Sequence, residues 1–92
     1  MIICKRVEIF GRVQGVWYRG STEKKANELG LFGWVRNRAD GSVEAVFQGE
    51  SDTIDKMLHW CDLGPTLARV DRVDVTDEPL EQNFSAEFKV LY

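Results

Sequence analysis

At 92 residues the chain has room for one domain around a single modest core, and residues 1-92 are read as one folding unit. A content of 43% hydrophobic and 29% charged residues with only two prolines is that of a globular domain and excludes a disordered chain. The formal net charge of -3 argues against a broad electrostatic grip on nucleic acid, so an anion would have to be held by a local arrangement working against the overall field.

From Ile2 to Phe10 the chain predicts a strand, with Ile3, Val7 and Ile9 on one face and Arg6 and Glu8 on the other. A glycine-rich stretch, GRVQGVWYRG, runs from Gly11 to Gly20. Ser21 or Thr22 is then placed to cap a helix whose apolar face carries Tyr18, Thr22, Ala26 and Leu29, with Gly30 as its stop. Gly20 should slightly weaken the start of that helix.

A second strand is expected over Gly33 to Asn37 and a third over Ser42 to Gln48. Between them the Asp40-Gly41 pair tolerates the positive φ angles of a tight hairpin turn. Ser51 opens the clearest helix, in which Ile54, Met57, Leu58 and Cys61 form one stripe until Gly64-Pro65 ends it. Strands follow around Val70 to Thr76 and from Phe84 to Tyr92, with a polar loop from Asp77 to Asn83 between them.

This βαββαβ order, with room for an extra C-terminal strand, predicts an α+β fold of the ferredoxin-like split βαβ type, an antiparallel sheet with two helices on one face. The first connection is expected to join parallel neighbours by a right-handed crossover.

The apolar runs fall short of the roughly 20 residues that cross a bilayer, and MIICKRVEIF breaks into charge too early for a signal peptide, so a cytoplasmic protein without membrane contact is expected. Cys4 and Cys61 have no C-x-x-C spacing and read as buried thiols, although a disulfide between them stays open. No cluster of carboxylates or imidazoles suggests a metal, and no cofactor is implied. His59, the only histidine, lies beside an apolar stripe and reads as a surface or packing residue.

The stretch from Gly11 to Arg19 leads from a strand into a helix, whose N-terminus offers free amides and partial positive charge. If Gly15 lets the backbone curl, the amides of Gln14 through Arg19 form a nest for a tetrahedral oxyanion, to which Arg19 adds a two-pronged guanidinium contact. Equally, the glycines simply turn the corner and Arg19 is solvated. Neither G-x-x-x-x-G-K-S/T nor G-x-G-x-x-G is present to decide. Asn37 likewise reads either as a turn residue bonding its own backbone or as an amide that orients a water beside a bound phosphate.

Together the two stretches resemble the acylphosphatase family. GRVQGVWYR is similar to its first signature, G-x-V-Q-G-V-x-(aromatic or Met)-R, and Gly33 to Gly49, GWVRNRADGSVEAVFQG, is similar to its second. The resemblance implies metal-independent hydrolysis of a carboxylic-phosphoric anhydride to a carboxylate and inorganic phosphate. By it, Arg19 is the phosphate-binding arginine, Asn37 positions the attacking water, and Gln14, Gly15, Val16, Trp17, Tyr18 and Arg19 form the amide-lined loop. Tyr18 departs from the usual Phe, adding a hydroxyl that needs a partner if the ring is in the core.

The implied partner is a small acyl phosphate, with inorganic phosphate as product and competitive inhibitor. A monomer is the expectation. A non-catalytic phosphate-binding module of the same fold is the alternative reading. GLFGWV partly resembles an aromatic-glycine RNA-binding run, but the acidic balance opposes it, and no nucleic acid is expected as a partner. Asp40 and Glu44 fit a turn and a solvated strand face.

Overall fold

The computed structural model describes residues 1–82 and 87–92. The elements in chain order are β1 (Ile2–Arg12), α1 (Tyr18–Glu28), β2 (Phe32–Asn37), β3 (Val43–Glu50), α2 (Ser51–Leu63), β4 (Arg69–Glu78) and β5 (Lys89–Val90). The strands make one five-stranded sheet in the order β4-β1-β3-β2-β5.

β1 lies antiparallel to both β3 and β4, and β2 lies antiparallel to β3. Because both β1 and β2 oppose β3, they are parallel to each other but separated by it. The expectation that the first connection joins parallel neighbours is therefore corrected: β3 inserts between them, which is what splits the βαβ unit. The sheet is also mixed, because β5 pairs with β2 in parallel at Trp34↔Lys89 and Val35↔Val90. The early part of the expected strand from Phe84 to Tyr92 lies outside the described residues.

The core forms where the period-2 faces of the strands meet the helices. Val7 and Ile9 of β1 stand opposite Ala45 and Val43 of β3, and Val35 of β2 stands opposite Ala45 on its other side. All are fully buried with Phe47, beneath Tyr18, Thr22 and Ala26 of α1 and Ile54, Met57 and Cys61 of α2. Phe88 closes the end of this core by stacking on Phe47, with centroids 5.2 Å apart. The segment carrying Phe88 is clamped by Asn27, whose Oδ1 accepts from the Phe88 amide at 3.0 Å.

Sequence-based boundaries fail most clearly at α1. The helix starts at Tyr18 with Trp17 in the N-cap position, and no side chain caps it. Ser21 and Thr22 lie inside the helix, and the Thr22 hydroxyl donates back to the Tyr18 carbonyl at 2.7 Å, the usual alternative for a threonine beyond the cap. At the other end the Leu31 amide donates to the Ala26 carbonyl at 2.9 Å and the Gly30 amide to Asn27 at 3.1 Å, closing the helix in a Schellman arrangement.

Glu44 is corrected as well. It is only 3% exposed, because Arg6 on β1 and Arg36 on β2 close over it. Its carboxylate is held between Arg6 and Arg36, with Arg6 Nε and Arg36 Nε each donating at 2.7 Å. Burial alone pushes this carboxyl up, but the two guanidinium groups outweigh it and hold it below its usual range. Cys4 and Cys61 are both buried and free. Among the described residues no helix is long and apolar enough to cross a membrane.

Candidate active site

The chain leaves β1 at Arg12 and enters α1 at Tyr18, and the turn between them sets the site. Gly15 takes φ 75, a region that a side-chain-bearing residue enters only at a cost, and Trp17 is driven to φ 60 at the helix entrance. Gln14 to Trp17 form a turn, and the amides of Tyr18, Arg19 and Gly20 fall in the first turn of α1, where a helix supplies no acceptor. The Ser21 amide then reaches the Trp17 carbonyl at 3.1 Å. A run of free N–H groups at an uncapped helix start is the electrostatic signature of an anion cradle.

These groups border a cavity of about 640 Å³ whose lining includes Gln14, Gly15, Trp17, Tyr18, Arg19 and Asn37. The two stretches singled out in the sequence thus meet in space. Val16 does not join them with its side chain, which is 8% exposed and packs into the core, so its contribution is confined to its amide. Among the described residues no carboxylate pairs with Arg19, whose Cζ lies 5.2 Å from the centroid of the Tyr92 ring.

Asn37 does not stabilise its own turn. That task falls to Asp40, whose Oδ1 accepts from the Ser42 amide at 2.9 Å and from the Ser42 hydroxyl at 2.5 Å. These hydrogen bonds hold the Asp40 carboxyl below its usual range. In the turn itself only Gly41 takes a positive φ, of 91°, so Asp40 does not share the role expected for the pair. Among the described residues Asn37 Oδ1 is buried without a hydrogen-bond partner, which is costly for an amide oxygen.

The Tyr18 hydroxyl is satisfied: it donates to the Cys61 carbonyl at 2.7 Å. In a continuing helix that carbonyl would accept from the residue four positions on, which is Pro65 and has no N–H. Tyr18 therefore supplies the donor that Pro65 cannot. Burial pushes the Tyr18 hydroxyl up, and pushes the Cys61 thiol up to about 12, so both stay protonated. His59 is exposed on α2 and borders a separate apolar groove with Trp60 and Leu63. Among the described residues no group of three or more His, Cys, Asp or Glu is placed to hold a metal ion.

Two contributions escaped the sequence reading. Gln14 was expected to serve through the amide-lined loop, but its side chain also bonds to the hairpin beyond Asn37, with its Nε2 2.8 Å from the Arg38 carbonyl. Tyr92 reaches the cavity because β5 lies alongside β2. The Q in the signature was a visible signal for the first; nothing local signals the second.

The chain is similar to known proteins over nearly its whole length. The family model described as Acylphosphatase matches residues 5–90. A relative from Methylococcus capsulatus named acylphosphatase is 53% identical over 89 residues, covering 95% of this chain and 96% of its own. One from Nitrosococcus oceani, also named acylphosphatase, is 54% identical over 81 residues, covering 88% and 89%. The solved structure of an acylphosphatase from Coxiella burnetii superposes with a TM-score of 0.92 at 40% identity, covering 98% of this chain and 93% of that one.

Proposed function

Since this chain belongs to the acylphosphatase family and hydrolyses acyl phosphates, we propose that Arg19 and the amides of Gln14 through Arg19 hold the phosphoryl group while Asn37 positions the attacking water. The observation that carries this reading is the meeting, on one cavity, of an uncapped helix start, a guanidinium with no carboxylate partner among the described residues, and Asn37.

The phosphoryl oxygens accept from the cradle amides and from Arg19. As the transition state forms, charge on those oxygens is stabilised by donors already in place, the main lever in phosphoryl transfer. Asn37 Oδ1 accepts one O–H of a water and aims its oxygen at phosphorus. A water–phosphorus bond forms as the bond from phosphorus to the acyl oxygen breaks. The electron pair of that bond leaves on the carboxylate, and the surplus proton passes to a phosphoryl oxygen or to solvent.

A carboxylate is a weak base, so its departure needs no proton donor, and none is assigned. Inorganic phosphate, the second product, fits the same cradle and competes with substrate. In this reading residues 1–92 act as one domain and as a monomer; every group named comes from one chain. The free buried thiols Cys4 and Cys61 suit a reducing, cytoplasmic compartment.

Hydrolysis of an acyl phosphate in the presence of a chelator, followed by phosphate release, tests the reading. Turnover with competitive inhibition by inorganic phosphate is expected. Phosphate binding without turnover would leave only an anion-binding module.

A further inference from the structure

We propose that Trp17 is the specificity-determining residue for the acyl half of the substrate, and that it favours flat aromatic acyl phosphates over short aliphatic ones. The inference rests on the catalytic reading above and extends it to the part of the substrate that leaves as carboxylate.

Trp17 is 78% exposed, although a residue of its size is normally drawn inward. It is also the non-glycine residue found at positive φ among the described residues, a conformation that bulky side chains avoid. Strain of this kind persists where surrounding structure enforces it, and it concentrates at ligand clamps.

Gly20 holds the ring in place. A Cβ built on Gly20 would lie 1.8 Å from Trp17 Nε1 and 2.4 Å from its Cδ1, so the indole rests directly on the bare backbone of that glycine. This explains a glycine inside the first turn of α1 that helix propensity disfavours. The exposed ring is thereby fixed beside the cradle, and a fixed aromatic surface loses little freedom when a ligand stacks on it.

The cavity has room for such a ligand. Its volume of about 640 Å³ far exceeds the space of a phosphoryl group, which takes the place of only a few waters at about 30 Å³ each. Beyond Arg19 the lining includes Trp17, Val90 and Tyr92, which present apolar and aromatic surface. Glu23 and Lys24 border the same cavity with opposite charges, so they give no net preference for an ionic acyl group.

The test compares kcat/KM for benzoyl phosphate and acetyl phosphate in the wild type, Trp17→Ala, Trp17→Phe and Gly20→Ala. The wild type should favour benzoyl phosphate. Trp17→Ala should lower the benzoyl-to-acetyl ratio by about tenfold, the scale of one aromatic contact, and Trp17→Phe should recover most of it. Gly20→Ala should move the ratio the same way, because its methyl pushes the indole aside while leaving Trp17 in the chain. A ratio unchanged in Trp17→Ala, or an equal loss on both substrates, would overturn the inference while the catalytic reading stood. A wild type that hydrolyses neither substrate would overturn both.

Discussion

The side-chain amide of Gln14 donates to the Arg38 carbonyl at 2.8 Å and to the Ser42 carbonyl at 2.9 Å, joining the loop that precedes Arg19 to the hairpin that follows Asn37. Both carbonyls also accept backbone amides, from Gly41 and Arg38 respectively. Gln14→Ala therefore leaves neither carbonyl wholly unpaired, and its cost in stability should be about 1 kcal/mol. Its cost in rate should be larger, about 10- to 100-fold in kcat/KM, because the phosphoryl cradle and the water-positioning residue lose their common reference. Thermal unfolding and steady-state kinetics on one preparation check the split; a variant that loses stability alone would uncouple the loop from the hairpin.

Arg19 and Asn37 should fail in different ways. Arg19→Ala should abolish measurable turnover and phosphate inhibition together, at a cost of about 3 kcal/mol or more, and Arg19→Lys should not restore it, since a point charge cannot span two oxygens. Asn37→Ala should depress kcat with a smaller change in the phosphate inhibition constant. Because it removes a buried acceptor that has no partner, it should also leave the unfolding midpoint level or higher. Strong loss of phosphate inhibition with retained kcat in Asn37→Ala would reverse the assignment.

Tyr18→Phe is a test of packing polarity. The ring stays in the core while the donor to the Cys61 carbonyl is lost, and Pro65 cannot replace it. Stability should fall by about 1–3 kcal/mol, the cost of an unmet buried acceptor. Urea denaturation measures it. A neutral result would mean that the C-terminal turn of α2 finds another donor.

Glu44 links the open face of the sheet to pH. Its folded carboxyl is held below its ordinary value of 4.5, so its contribution is full above that pH and is lost as pH falls through the lowered folded value. Replacing it by Gln should cost about 2 kcal/mol at neutral pH, the scale of charge-assisted hydrogen bonds, and should flatten the acid limb of the stability curve below about pH 4.5. Chemical denaturation from pH 7 down to pH 3 compares the two chains.

Local chemistry was enough to read much of this protein from its residues. Apolar periodicity placed the stripe of α2 and the buried face of β1, because Ile54, Met57 and Cys61 and Val7 and Ile9 meet the core. The pairing of a glycine-rich loop with an asparagine-bearing strand identified the family, since each stretch needs particular residues at particular backbone positions. What local reading missed depends on neighbours distant in the chain. Glu44 looked solvated because alternation cannot reveal that Arg6 on β1 and Arg36 on β2 close over it. The start of α1 was misplaced because capping residues were sought, whereas this helix leaves its first amides free.

By itself, then, the order of residues determined most of the strands and helices, which follow from patterns among near neighbours, and the signature loop, whose resemblance to a family implied the chemical class of the reaction. Only the tertiary structure decided that β3 separates β1 from β2, that Asn37 lines the same cavity as Arg19, and that Trp17 lies against Gly20 at its edge. The physical reason is that burial, partnering and shared cavities are properties of space, set when segments far apart in the chain compete for one core.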